Sequence, residues 1–167
     1  MRGHGTLNFE EYAAARGQRL YRTAYLLCGD AHRAEDLAQA TLAKLFAHWR
    51  RASRMENLDA YARTVLTRTF LAEQRRRSVA QRIGVLASTP AAAAHGDADL
   101  RVTLLSALAE LPARARAMVV LRYWEDLSVE TVADLLGCST GTVKSQCSRA
   151  LARLREQLGE PSPYASA

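Results

Sequence analysis

GCSTGTVKSQCSRALARL, the stretch from Gly137 to Leu154, begins with glycine and small polar residues and then settles into a helical pattern. Ser139 is a suitable N-cap for this helix, because its hydroxyl oxygen can accept a hydrogen bond from a free backbone amide. Gly137 suits the end of a preceding helix, for which Ser128 is the predicted N-cap. Two helices joined by such a short break predict a helix-turn-helix motif.

The second helix of this motif has an apolar face and a polar face. At about 100° per residue, Val143 and Ala150 point inward. The residues that point outward or lie on the flanks are Thr142, Lys144, Ser145, Ser148, Arg149 and Arg153. Small side chains permit close approach to a duplex, free amides at the helix start suit a phosphate, and a guanidinium can bind a base edge bidentately. The face therefore favours DNA binding, while a solvated αα-hairpin has the same periodicity.

Three further helices are predicted upstream of this motif. Asn8 is a suitable N-cap for the first helix, which ends at Gly29. The second spans roughly Ala31 to Arg50 and the third roughly Leu58 to Arg77. Apolar spacings of three and four predict that the following residues of the second helix face inward: Ala34, Leu37, Ala38, Leu42, Leu45, Phe46 and Trp49.

The remaining segments complete an all-α protein. Residues 79–99 mix glycine, proline, serine and alanine without a sustained period, which predicts a flexible linker. Beyond them, helical spacing runs from Leu100 to Leu111, and Pro112 suits the first turn of a helix that ends near Trp124. The sequence thus predicts two small helical domains, residues 1–78 and 100–159, joined by the linker 79–99 and followed by a tail, 160–167. No strand pattern or internal repeat is recognisable.

The charge is concentrated in the first half of the chain. The net charge is +6, and residues 1–85 hold 15 of the 23 basic residues but only 8 of the 17 acidic ones. The arginines of the basic segment between Lys44 and Arg82 form either a surface that follows phosphates or a solvated face.

Other features exclude several classes of protein. There is no apolar run of about eighteen residues and no signal peptide, so a cytoplasmic protein without membrane insertion is expected. The cysteines, Cys28, Cys138 and Cys147, are odd in number and lack a CxxC spacing. They predict neither a disulfide framework nor a metal site, and we interpret them as small buried residues.

Two longer stretches resemble a known family. LRYWEDLSVETVADLLGCSTGTVKSQCSRALARLRE, residues 121–156, resembles the fourth-region helix-turn-helix of bacterial extracytoplasmic-function sigma factors. AEDLAQATLAKLFAHW, residues 34–49, resembles the second region of the same family. The block NFEEYAAARGQRLYRTAYLLCGD, residues 8–30, is similar to the compact actinobacterial members of the sigma-E type. Together these segments cover nearly the whole chain.

The resemblance implies a non-catalytic subunit that binds core RNA polymerase, recognises promoter DNA with both domains and needs no cofactor. Contacts with the minus-35 element are implied for Thr142, Lys144, Ser145, Ser148, Arg149 and Arg153. Contacts with the minus-10 element, including a flipped base, are implied for Arg50, Arg51, Ser53, Arg54, Asn57, Tyr61, Arg63 and Arg68. Tyr61 also lies on the apolar stripe of its helix, so a core aromatic is an equal alternative.

Polymerase docking is implied for Glu35, Asp36 and Gln39, which match the helix that meets the clamp helices of the largest core subunit. The flap of the second-largest subunit and an anti-sigma protein are further implied partners. Ala40 departs from the glutamate usual in the family and is expected to alter core affinity. Arg68 departs from a frequent asparagine and leaves the minus-10 preference open.

The domains are also expected to pack together in the free protein and to hide the DNA surfaces.

Two alternatives remain at this point. A stand-alone helix-turn-helix repressor or response-regulator output domain accounts for the last two helices but leaves the first domain unexplained. A nucleic-acid enzyme is suggested by His95, Asp97 and Asp99, or by the pair Glu35 and Asp36. The first group lies in the predicted linker with one histidine, and adjacent carboxylates on a helix cannot both face one metal.

Overall fold

A computed structural model describes residues 8–84 and 99–159, with burial assigned to all of these except 99–102. This part of the chain is helical and contains no strand. The helices of the first domain are α1 (Phe9–Cys28), α2 (Ala31–Ala47), α3 (Trp49–Ala52) and α4 (Leu58–Arg82). The second domain contains α5 (Asp99–Glu110), α6 (Ala113–Val119), a π-helical turn (Val120–Trp124), α7 (Val129–Leu136) and α8 (Thr140–Leu158).

The predicted caps are confirmed. The Asn8 side chain accepts a hydrogen bond from the Glu10 amide at 3.0 Å at the start of α1. Ser128 and Ser139 each accept one at 3.1 Å, from the amides of Thr131 and Thr142. These bonds satisfy amides that the helix itself leaves free, so they define where α1, α7 and α8 begin.

Two predicted helix boundaries and one inward-facing residue were wrong. Helix α2 ends at Ala47 rather than at Arg50, because His48 leaves the helical conformation with φ −114° and ψ 23°. Helix α4 continues five residues beyond Arg77 to Arg82, since nothing in that segment breaks a helix before Gly84. Phe46 is 65% exposed. Its ring contacts that of Phe9 edge-to-face at 5.1 Å instead of entering the core.

The predicted linker is only partly within the described residues. Its first residues, 79–82, belong to α4, whereas residues 85–98 lie outside the described part of the chain. The limits of the two domains stay a prediction.

Three apolar clusters form the core, and they connect the two domains. The first cluster joins α1, α2 and α4, but it also contains Ala117 and Val120 from the second domain. Leu71 of α4 packs against the second cluster, which lies mainly between the π-helical turn, α7 and α8. Leu26 of α1 packs against the third cluster, formed by α5, α6 and α8. The domains therefore share apolar surface rather than standing apart.

The cysteines are free thiols, of which Cys28 and Cys147 are buried and Cys138 is half-buried. Burial raises the pKa of the Cys28 thiol to about 11, so it stays protonated and unreactive at neutral pH. In residues 8–84 and 99–159, no helix is long and apolar enough to cross a bilayer. The same residues contain no group of His, Cys, Asp or Glu side chains that could hold a metal ion.

Candidate nucleic-acid and polymerase interface

The outer face of α8 is accessible, as its periodicity predicts. Val143, Cys147, Ala150 and Leu154 form its buried side. The exposed residues of the predicted minus-35 set are Lys144, Ser145, Ser148, Arg149 and Arg153, and Thr142 is half-buried. Ser145 donates a hydrogen bond to the Thr142 carbonyl at 3.2 Å, which holds its hydroxyl close to the backbone. Exposed cations and small hydroxyl side chains thus share one face of α8, a combination that suits a DNA groove.

A hydroxyl pair and a glycine hold the turn between α7 and α8. The Ser139 and Thr142 hydroxyl groups lie 2.9 Å apart, which ties the first turn together. Gly137 ends α7 in the left-handed conformation, with φ 66°, and its amide bonds the Ala133 carbonyl. Because a side chain in this conformation is strained, glycine suits the tight turn between α7 and α8.

The predicted minus-10 residues lie on α3, α4 and the connection between them. Arg50, Arg51, Arg54, Asn57 and Arg68 are exposed, whereas Ser53, Tyr61 and Arg63 are half-buried. Asn57 caps α4, because its side chain accepts a hydrogen bond from the Ala60 amide at 3.0 Å. Tyr61 packs against the first apolar cluster, so part of its ring serves the core.

Arg63 has a partner that the sequence did not predict. Its Nε lies 3.1 Å from Oε2 of Glu125, which comes from the other domain. The same carboxylate accepts a hydrogen bond from Thr23 Oγ1 at 2.6 Å and lies 3.4 Å from Arg19 Nη2. The Arg63 side chain is 17% exposed and that of Glu125 only 5%. Arg63 therefore lies in the seam between the domains, apart from the exposed residues of the predicted minus-10 set.

The seam contains a second buried ionic group, Arg116 of α6. Its Nη1 donates to the Leu27 carbonyl at the end of α1 at 2.6 Å, and its Nε donates to the Leu108 carbonyl at 2.8 Å. The guanidinium also lies 5.8 Å from the ring centre of Phe70. Burial lowers the pKa of Arg116, yet carbonyl oxygens on several sides satisfy its donors.

Glu125 and Arg116 were both missed from the sequence. Arg116 lies in a short helix, where a charged residue is ordinarily expected at the surface. Glu125 follows the predicted end of that helix. In sequence, the side-chain partners of Glu125 lie 62 to 106 residues from it, and Leu27 lies 89 residues from Arg116. The periodicity of a single helix does not predict contacts between residues so far apart in sequence.

The predicted docking residues form an exposed polar edge on α2. Glu35, Asp36 and Gln39 are exposed, while Leu37 and Ala38 between them are buried. Ala40 is half-buried. An acidic edge of this kind is free to meet a basic surface.

The expectation that closed domains hide the DNA surfaces was largely wrong. The domains do pack together, but the outer face of α8 and most of the predicted minus-10 residues remain exposed. Only Arg63 makes an ionic contact across the seam among those minus-10 residues that the structure describes.

Two family models match separate parts of the chain. Residues 13–79 match the family described as Sigma-70 region 2, and residues 101–154 match the family described as Sigma-70, region 4. An RNA polymerase sigma-E factor of Streptomyces coelicolor is 38% identical over 156 residues, which cover 91% of this chain and 86% of that protein. The sigma factor SigV of Bacillus subtilis is 30% identical over 145 residues, 84% of this chain and 85% of that protein.

A solved structure is similar in fold and sequence. The sigma factor RpoE of Bartonella quintana, crystallised in complex with the anti-sigma factor NepR, is 32% identical. The alignment has a TM-score of 0.74 and covers 92% of this chain and 98% of that one.

Matches to both sigma-70 regions, together with the relatives named above, identify the chain as a transcription initiation factor. The chain belongs to the extracytoplasmic-function RNA polymerase sigma factors of the sigma-70 superfamily. The match to region 2 accounts for the first domain, which the repressor alternative left unexplained. In the enzyme alternative, His95 and Asp97 lie outside the described residues, as does the Asp99 side chain.

Proposed function

We propose that this sigma factor docks on core RNA polymerase through the exposed edge of α2 and reads promoter DNA with α8 and the α3–α4 segment. The observation that carries the proposal is that two exposed surfaces of different chemistry lie on different domains. An acidic polar edge, Glu35 to Gln39, lies on one domain, and a small-polar and basic face, Thr142 to Arg153, lies on the other. A protein that joins a polymerase to a promoter needs both surfaces at once.

The α8 face suits recognition of the minus-35 element. Arg149 is exposed and can bind a base edge bidentately, whereas Lys144 is a point charge suited to a phosphate. The small side chains of Ser145 and Ser148 let the helix approach the base pairs closely. Direct base readout would come from Arg149, and Lys144 and Arg153 would position the helix.

The α3–α4 segment suits the minus-10 element as a single strand. Arg50, Arg51 and Arg54 are exposed cations that can follow a backbone. The half-buried ring of Tyr61 offers an apolar surface beside them against which an unpaired base can stack. Melting then follows from binding energy that only the single strand can gain.

Several finer points belong to the same proposal. The protein itself catalyses no reaction and acts in the cytoplasm, where the polymerase is. The clamp helices of the largest core subunit meet α2, and the flap of the second-largest subunit meets the second domain. An anti-sigma protein is a further proposed partner, supported by the RpoE–NepR complex to which this fold is similar.

Run-off transcription tests the proposal. Purified core polymerase and the full chain are incubated with a genomic promoter library, and start sites are mapped. The double variant Asp36→Ala, Gln39→Ala should lose those start sites. A matched control, Glu11→Ala, Gln18→Ala, removes two exposed side chains of the same types from α1 and should retain them.

The alternative outcome is equally clear. If no initiation depends on core polymerase while the protein alone shifts specific duplexes, the sigma assignment of these surfaces is refuted. The repressor hypothesis then takes its place.

A further inference from the structure

Among the described residues, Glu125 is the only residue of the second domain that forms an ion pair with the first domain. It contacts Thr23 and Arg19 of α1 and Arg63 of α4, at 2.6, 3.4 and 3.1 Å. We propose that Glu125 acts as a latch, which closes the two domains and occupies the Arg63 guanidinium so that the minus-10 strand must compete for it. The competition rests on the proposed function, whereas the closure does not.

Local backbone geometry directs Glu125 at the first domain. The π-helical turn adds a residue to the end of the α6 helix, and the Glu125 amide bonds the Val120 carbonyl at 3.1 Å. Asp126 then takes a left-handed conformation with φ 54°. This is uncommon for a residue other than glycine, and π-turns are frequent at functional sites. Together they end the helix with the carboxylate turned into the seam.

The charges around Glu125 make the closed state specific but reversible. A carboxylate that is 5% exposed is stable only while it is paired. Separation of the domains exposes the Glu125 and Arg63 side chains to water, so neither of these two charges stays buried without its partner. A small cleft beside the pair, lined by Arg16, Asp59 and Leu66 among others, shows that the seam is not fully packed there.

The size of the molecule limits how far apart two promoter elements can lie if the closed form binds both. At about 3.4 Å per base pair, about 12 base pairs of DNA extend over about 40 Å. A compact chain of 167 residues has a radius of gyration of about 15 Å and a diameter of about 40 Å. A closed molecule therefore cannot span two elements that lie farther apart than about 12 base pairs, and the contacts of Glu125 must break when such elements are bound together.

The latch has a measurable effect on affinity. The apparent Kd of a ligand equals its intrinsic Kd divided by the fraction of molecules in the competent state. If the closed form holds about nine-tenths of the free protein, a variant that opens fully should bind a minus-10 strand about tenfold more tightly. Glu125→Gln is the direct variant, since it removes the charge and keeps the shape.

Small-angle scattering of the full chain tests the closure without any DNA. Wild type should give a radius of gyration near that of a compact chain, and Glu125→Gln a larger one. Glu156→Gln, which changes an exposed glutamate of α8, is the matched control and should scatter like wild type. Arg19→Gln is a second variant, which removes the 59%-exposed partner and should open the molecule to a smaller extent.

The same proteins are then titrated with a single-stranded oligonucleotide that carries the minus-10 element recovered by run-off transcription. Expansion together with tighter binding by Glu125→Gln supports the latch. Unchanged scattering by folded Glu125→Gln and Arg19→Gln overturns the role of Glu125 in closing the domains, whatever the transcription assay shows. Expansion with unchanged oligonucleotide affinity overturns the competition for Arg63. Failure of the proposed function appears separately, as the absence of core-dependent start sites.

Discussion

Arg149 and Arg116 belong to the same domain but have opposite surroundings. Arg149 is exposed on α8, and Arg116 is buried with its guanidinium bonded to backbone carbonyls such as that of Leu27. A guanidinium that already has its acceptors has no donor left for DNA, whereas an exposed one keeps its fork of donors available. At the scale of single residues, burial therefore decides which arginine holds the fold and which one is available to DNA.

Arg149→Ala should change promoter choice rather than stability. Loss of a bidentate contact costs about 1–3 kcal/mol at one base and relaxes specificity there. Run-off mapping on the promoter library should show one degenerate position within the minus-35 element. Arg155→Ala, which changes an exposed arginine six residues nearer the end of α8, is the control and should keep the wild-type profile. An unchanged profile for Arg149→Ala would refute the assignment.

At the scale of elements, the helix-turn-helix depends on how α7 ends and α8 begins. Gly137 reverses the chain with φ 66°, and Ser139 caps the next helix through the Thr142 amide at 3.1 Å. Both signals are local, which is why they could be predicted from the sequence. The end of α2 could not, because His48 departs from the helix where the following Trp49 turns its ring toward Phe9, at 5.4 Å.

Gly137→Ala and Gly141→Ala should affect the stability of the motif in opposite directions. At Gly137 no atom would touch an added methyl group, so the cost is the strain of the left-handed backbone, about 1–2 kcal/mol. Gly141 lies in the first turn of α8, and a methyl group there would meet only Ser139 Oγ at 3.8 Å. The alanine lowers the conformational entropy of the unfolded chain, which should stabilise that variant by about 0.5 kcal/mol. Urea unfolding measures both, and equal destabilisation would contradict this account of the turn.

The candidate site was predictable only where one element carries it. The face of α8 follows from a period of 3.6 residues, and Glu35, Asp36 and Gln39 follow from their positions beside buried Leu37. Arg63 was expected to be a promoter contact like its neighbours. Its pairing with Glu125 depends on how two domains pack, and that packing is decided by apolar contacts spread over the whole chain.

At the scale of the whole molecule, shared apolar clusters and the ionic seam together join the two domains. Ala117 and Val120 lie in the cluster of the first domain, and Leu71 and Leu26 pack against clusters of the second. Neither domain buries all its apolar surface without the other. Apolar burial supplies most of the free energy of folding, so the two domains should depend on each other for stability.

The chain should consequently unfold in one transition, and its two tryptophans can report on this separately. Trp49 lies in α3 of the first domain and Trp124 ends the π-helical turn of the second. The variants Trp49→Phe and Trp124→Phe each leave one reporter, and their fluorescence should give coincident urea midpoints after correction for any change in stability measured by circular dichroism. Adding Glu125→Gln to each should separate the midpoints, because it weakens the seam without touching either core, whereas Glu156→Gln should leave them coincident. Two midpoints in the otherwise unaltered chain would mean that the domains fold independently and that the shared clusters contribute little.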